Sequence, residues 1–317
     1  MSKGESVCTA SSRTYHPFTG ADQAVMAQVR AMVEPNKGKL RGVAARPAFD
    51  DIIRHTSPPE GVDFREGRVG GVSGWWAEPK GAAAGRVVLH LHGGWFNWGT
   101  AEAYRNLVGH VARRAAAAAF VPNYSLAPEH SFPAAGLDAS ATLGGLIADG
   151  ARAVAITGDS AGGNLALALL SSATARTPGG RRCIVGAVVL SPVTDLTLGG
   201  ASWVDRAQAD PFFLKDQVQG LIDAYLAGHE PTDPAASPLF ADPTGFPPIR
   251  LHVGDAEVLL DDAVRYGGCA TAAGVDAQVD VWEGMAHGFL GSVGRLQAAD
   301  AALDAIGAFL RDRLWTP

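Results

Sequence analysis

The chain has 317 residues, enough for one α/β body with an elaboration, and its 47% hydrophobic and 18% charged residues supply ample core material. The net charge is −6 with acids and bases interspersed, so no basic stripe offers itself to nucleic acid. Cys8, Cys183 and Cys269 lack C-x-x-C spacing, which argues against a disulfide framework or zinc site; with no signal-peptide core and no apolar run of about 18 residues, a cytoplasmic protein without a membrane span is expected.

Residues 1–60 look partly helical, as in DQAVMAQVRAMV (22–33), and no strand is expected there. From about residue 68 strand-like and helix-like segments alternate. The strand candidates are 85–94, 115–124, 151–160, 183–192, 248–257 and 276–285, short β-branched or apolar runs bounded by turn residues. The second, AAAAAFVPNY, is the weakest and by itself reads equally as helix. Helical stretches fall at 101–114, 133–149, 161–176, 258–273 and 293–313. In the last, Leu296, Ala299, Leu303, Ile306 and Leu310 recur at helical spacing. Such alternation predicts a mostly parallel sheet with helices on both faces. Residues 196–235, with Trp203, Phe212, Phe213 and Tyr225, break the alternation as an insertion at a strand's C-terminal end, where open α/β sheets bind ligands. The expected organisation is an N-terminal cap segment (1–60), a first core part (61–195), a cap insertion (196–235) and a second core part (236–317).

Gly158-Asp159-Ser160-Ala161-Gly162 has the form G-x-S-x-G, between a buried strand and a helix. That context makes it a nucleophile elbow: glycines leave room for a tight turn, and the helix N-terminus faces the serine with its positive dipole end. A nucleophilic serine needs a base and an orienting acid. His287, in WEGMAHGFL after the last strand, occupies the base's place in the chain order Ser…acid…His. The acid belongs in the loop Gly254-Asp255-Ala256-Glu257, where both carboxylates suit the task and spacing does not choose between them. Gly93 and Gly94, in HLHGGWFNWG after a strand, and Ala161 after the nucleophile supply backbone N–H groups for an oxyanion. His90 and His92 share a strand face without a third ligand, so no metal is expected.

These motifs resemble the hormone-sensitive-lipase-like family of α/β hydrolases, bacterial carboxylesterases with an H-G-G-G motif. The resemblance rests on His92-Gly93-Gly94, NYSLAPEHSFPAA (123–135), GDSAGGN (158–164), SPVTDLT (191–197), SPLFAD (237–242), EVLLDDA (257–263) and EGMAHGF (283–289), in the family's order. It implies the α/β-hydrolase fold, a cap built from 1–60 and 196–235, pairing into a homodimer, and ester hydrolysis through an acyl-enzyme without a cofactor. Laid on the family's D-P-L-x-D-E, the catalytic acid falls on Glu257 rather than Asp255. The same alignment gives Glu129 and Asp195 loop-holding roles, and Asp159 reads as support for the elbow. The EVLLDD form is similar to lactone hydrolases and macrolide esterases, which implies a bulky cyclic ester as a substrate form. Trp95 replaces the third glycine of H-G-G-G, and Trp95, Phe96 and Trp203 are the candidate substrate-binding side chains, with Trp98 and Trp282 as further aromatics of the cleft. H-G-G-W-F is also similar to the H-G-G-Y-W of kynurenine formamidase, which makes an amide or formamide hydrolase the alternative. Gibberellin receptors of the same family bind without catalysis but lack the histidine, which this chain keeps.

Overall fold

The central strands have little choice of partner, because runs such as VVLHL and AVAITG are apolar at nearly every position and must be covered on both faces. The computed structural model describes residues 12–176 and 183–315. In chain order its strands are β1 (Ser12–His16), β2 (Val62–Val69), β3 (Val72–Pro79), β4 (Arg86–Leu91), β5 (Ala118–Pro122), β6 (Ala153–Asp159), β7 (Ile184–Leu190), β8 (Ile249–Gly254) and β9 (Ala277–Trp282). They form one sheet in the order β1-β9-β8-β7-β6-β4-β5-β3-β2. All neighbours from β1 to β5 are parallel, and β3 and β2 add an antiparallel edge.

Successive strand residues point to opposite faces and divide the core in two. Val87, Leu89, Val154, Ile156, Ala187 and Val189 face α4 (Ala134–Ala148), α5 (Ala161–Arg176) and α8 (Leu260–Ala272). Val88, Ala155 and Val188 face α3 (Ala101–Ala115) and α9 (Gln297–Trp315), where Leu303, Ile306 and Leu310 form the apolar stripe expected from their spacing. The ambiguous alanine run resolves into the end of α3 and strand β5, with a left-handed Ala116 between them.

Two features depart from the sequence expectation. A strand does precede residue 60: Ser12–His16 pairs in parallel with β9 at the sheet edge. Its sequence SRTYH is polar and largely exposed, so it carries no alternation to read. Residues 1–11 of the expected cap segment, Cys8 among them, lie outside the described residues. The β2–β3 hairpin, turned at Gly70 and Gly71 with φ of 58° and 85°, is the second.

The segment carrying α1 (Gly20–Val33) and α2 (Arg46–Arg54) meets the insertion carrying α6 (Ser202–Asp205) and α7 (Lys215–Leu226). Arg30 donates to Ala209 O, Gly38 N–H to Phe212 O, and the Gln217 amide to Leu40 O. Arg46 then reaches the loops after β4 and β5, donating to Asn97 O, Ala127 O and both oxygens of Glu129. Its guanidinium holds the Glu129 carboxyl down to about 2. The sequence-distant segments thus sit together over the carboxyl ends of the strands. Among the described residues no helix is long and apolar enough to cross a membrane.

Asp22, 1% exposed on α1, caps α9 from outside: its Oδ1 accepts from Gln297 N–H at 2.7 Å and its Oδ2 from Ala298 N–H at 3.2 Å. Asp22→Ala is expected to cost about 1–2 kcal/mol, the usual effect of losing such a cap. A lower urea midpoint at unchanged slope would register it.

Candidate active site

Ser160 sits where β6 turns into α5, at φ 54°. A left-handed serine is disfavoured, and the surroundings must hold it there. Ser160 N–H donates to Leu190 O at 2.8 Å, and its carbonyl accepts from Val193 N–H at 3.1 Å. The elbow admits no side chains beside it: a Cβ on Gly158 would stand 2.3 Å from Gly162 O, and one on Gly162 1.9 Å from Leu91 O.

The loops carrying Glu257 and His287 meet next to this turn. His287 Nδ1 lies 2.9 Å from Glu257 Oε2, and Glu257 is fully buried. The other carboxylate oxygen accepts from Ser191 Oγ at 2.7 Å and from Gly254 N–H at 2.6 Å. Asp255 takes no part in this; its Oδ1 accepts from Gly284 N–H at 2.6 Å and braces the base's loop. Of the two carboxylates left open by spacing, the structure brings Glu257 to the ring. Ser191 is a site residue that sequence reasoning passed over. It stands at φ 42° just past β7, and its only signal was a place at the head of SPVTDLT.

Burial disfavours the His287 imidazolium, but the hydrogen bond and charge of Glu257, then the charges of Asp210 and Asp159, outweigh it and raise the pKa above the usual histidine value. Ser160 and His287 are not hydrogen-bonded to each other here; nucleophile–base contacts commonly tighten only once substrate is bound.

The backbone N–H groups expected to meet an oxyanion are not all unengaged. Gly93 N–H donates to Asp159 Oδ1 at 3.0 Å, so it is already engaged. Asp159 is further held by Tyr104 OH at 3.0 Å and lies 3.3 Å from His90 Nε2. Among the described residues, the N–H groups of Gly94, Trp95 and Ala161 donate to no protein acceptor. Gly93, expected among the oxyanion donors, thus has its N–H spent on Asp159, and the unengaged N–H groups of this loop are those of Gly94 and Trp95. Reading the first two glycines as the donors overlooked the carboxylate of Asp159 directly behind the first.

The two strand histidines are structural. His90 Nδ1 meets Thr157 Oγ1 at 2.9 Å, and His92 lies stacked between Tyr104 and Tyr124. Burial drives the His92 pKa down to about 4. No group of three metal-ligating side chains occurs among the described residues.

The aromatics separate into two sets. Trp95 lies edge-to-face with Phe213 at 5.5 Å and 6.3 Å from Trp203, and Phe213 in turn lies 5.1 Å from the His287 ring. Phe96 departs from its expected substrate-binding role: it is fully buried and stacked on Tyr225 at 3.8 Å, a packing residue. Trp98 donates its indole N–H to Gly42 O, and Trp282 stacks on His16. Asp195 fixes its loop through Thr197 and Arg265.

Residues 88–291 match the family described as alpha/beta hydrolase fold. The chain belongs to this family. It is 35% identical to an acetyl-hydrolase of Streptomyces hygroscopicus over 77% of this chain and 81% of that protein. An esterase of Acinetobacter venetianus is 34% identical over 80% of this chain and 84% of its own. The crystal structure of an esterase from the bacterial hormone-sensitive lipase (HSL) family, 32% identical, superimposes with a TM-score of 0.86 over 94% of this chain and all of that one. Within the α/β hydrolases the chain falls among these HSL-family esterases.

Glu257→Gln should lower kcat/KM on the order of 10³–10⁴-fold, because an amide leaves the imidazole in the wrong tautomer and its cation unsupported. Asp255→Asn should cost far less. In the wild type a base raised above the ordinary histidine range must lose its proton before it can act, so kcat/KM falls as pH drops through that raised value. Removing the Glu257 charge moves this limb to lower pH while the plateau collapses. Steady-state pH profiles of the three proteins check both statements.

Proposed function

We propose that this chain is a serine carboxylic-ester hydrolase that works through an acyl-enzyme. The observation carrying this reading is the buried Glu257–His287 hydrogen bond of 2.9 Å beside a serine held at φ 54° on the head of α5. His287 Nε2 takes the proton of Ser160 Oγ as that oxygen attacks the ester carbonyl. The carbonyl oxygen becomes an oxyanion, met by the N–H groups of Gly94, Trp95 and Ala161 and by the positive end of α5. Collapse breaks the bond to the leaving oxygen, which takes the proton from His287 and departs as the alcohol. Water, deprotonated by His287, then attacks the acyl-enzyme and releases the acid and Ser160. Every proton passes through the imidazole, and no group beyond these residues is required.

Residues 17–60 and 196–235 serve as the cap. Ser160 is only 2% exposed beneath them, and Phe213 of the insertion touches the base. The relatives' names include acetyl-hydrolase, and a tryptophan where the family carries glycine crowds the acyl side, so a short acyl group fits best. A cyclic ester is the second substrate form. It is favoured by the buried indole N–H groups of Trp95 and Trp203, which have no protein acceptor and suit a substrate carrying oxygens beyond the scissile ester.

A panel of p-nitrophenyl esters, simple lactones, a 16-membered macrolide and N-formylkynurenine decides among these. Turnover of esters, abolished in Ser160→Ala, is the expected result; turnover of the formamide alone would overturn the ester reading in favour of an amidase. Trp95→Gly keeps the backbone donor and removes the ring. The preferred p-nitrophenyl ester should then lengthen by several carbons, read as kcat/KM against chain length.

A further inference from the structure

The insertion carries a carboxylate with no role in the reaction as described. Asp210 is fully buried, and both of its oxygens are taken. Oδ1 accepts from Phe212 N–H at 2.7 Å and Phe213 N–H at 3.0 Å. Oδ2 leaves the insertion and accepts from Val258 N–H at 3.0 Å, the residue directly after Glu257. One side chain therefore grips two pieces of the site. It fixes the backbone beneath Phe213, whose ring lies 5.1 Å from His287, and it pins the acid loop one residue past the acid.

The same turn is clamped from the N-terminal segment. Lys37 Nζ donates to the carbonyls of Ala207 and Asp210, and Gly38 N–H donates to Phe212 O. Lys37 binds the turn through its carbonyls, while Arg206 stands one turn upstream with its Nε unpaired. The Asp210 oxygens are satisfied by neutral amides, so its charge is not cancelled by a bonded cation. That charge acts on His287 together with Glu257 from the acid loop and Asp159 from the elbow.

We propose that Asp210 is a positioning residue for the hydrolytic reaction, coupling the seating of the insertion to the alignment of Glu257 with His287. The proposal rests on the reading of Ser160, His287 and Glu257 as the reacting groups. When the insertion is seated, the carboxylate spans to Val258 N–H and the acid loop is held. When it lifts, that bond breaks, Phe213 leaves the base, and a carboxylate departs from the neighbourhood of the imidazole. Base function is then tied to the presence of the cap and not only to the two loops.

The test uses the full chain as Asp210→Asn, Asp210→Glu and Phe213→Leu, with a p-nitrophenyl ester as substrate and Ser160→Ala as reference. In Asp210→Asn the amide oxygen can still accept from Phe212 and Phe213, but its NH₂ meets the Val258 donor. The expected result is a 10- to 100-fold lower kcat with KM within threefold, and an acid limb of kcat/KM displaced to lower pH. Asp210→Glu, which keeps the charge, should restore the limb toward the wild-type position. Phe213→Leu should lower kcat three- to tenfold with the limb in place. A folded Asp210→Asn protein with wild-type kcat and an unmoved limb overturns the proposal. Should Asp210→Asn fail to fold, Phe213→Leu decides: wild-type kcat in it overturns the coupling, and a loss in kcat at constant KM supports it. If Ser160→Ala retains activity, the serine mechanism has failed, which is a different result from a failure of the coupling.

Discussion

The site depends on one buried carboxylate. Glu257 has no exposure to water, and an ion in such a place is costly unless every lone pair is met. Its partners come from three strand ends: Ser191 past β7, Gly254 at the end of β8 and His287 past β9. Those strands are adjacent and parallel, so their carboxyl ends deliver the three donors to one point. The constraint also runs in reverse. Ser191 stands at φ 42° with its hydroxyl on the Glu257 carboxylate, so the strained residue and the buried acid hold one another in place.

Much of this was legible because it is local. Strand β4 and strands β6 to β9 announce themselves as apolar runs, β5 in its alanine run does not, and the elbow is defined by glycines within two residues of Ser160, where close approach leaves no alternative. The choice between Asp255 and Glu257 was not legible from spacing, since it turns on whether a loop points a carboxylate at residue 287 or at Gly284, 30 and 29 residues away along the chain. Likeness to a family motif supplied that choice. The Gly93 assignment failed for a similar reason: its N–H is engaged by Asp159, 66 residues distant. Strand β1 was invisible because an exposed edge strand needs no apolar face, and Phe96 resembled a cleft residue only until its stacking partner Tyr225, from α7, was known.

A second carboxylate, Asp262 at the start of α8, ties the same region together from below. Its Oδ1 accepts from the N–H groups of Thr194 and Asp195, and burial pushes its pKa up to about 7, against those hydrogen bonds and with help from the Asp195 charge. The start of the loop after β7 is thus held twice, by Glu257 through Ser191 and by Asp262 through Thr194 and Asp195. This explains why two acids so close in sequence, 257 and 262, have different duties: one faces the imidazole, the other faces the backbone amides and the Thr194 hydroxyl of the loop after β7.

The turn at Trp95 and Phe96 is held from outside the sheet. Trp95 and Phe96 both adopt left-handed backbones, at φ 51° and 61°, and a bulky residue there is strained by roughly 1–3 kcal/mol. The turn persists because its carbonyls are tethered. Trp95 O accepts from the Asn97 amide and Phe96 O from Ala127 N–H. Asn97 in turn donates to Leu221 O on α7, and Arg46, at the head of α2, donates to Asn97 O. The loop that presents the Gly94 and Trp95 N–H groups is therefore held by the insertion and by the N-terminal segment, the two parts of the chain that fall outside the strand–helix alternation. A sheet alone could place Ser160, Glu257 and His287. Holding the two left-handed residues 95 and 96 takes the helices laid over them, which makes those segments part of the architecture around Ser160 and not a decoration on the surface of the sheet.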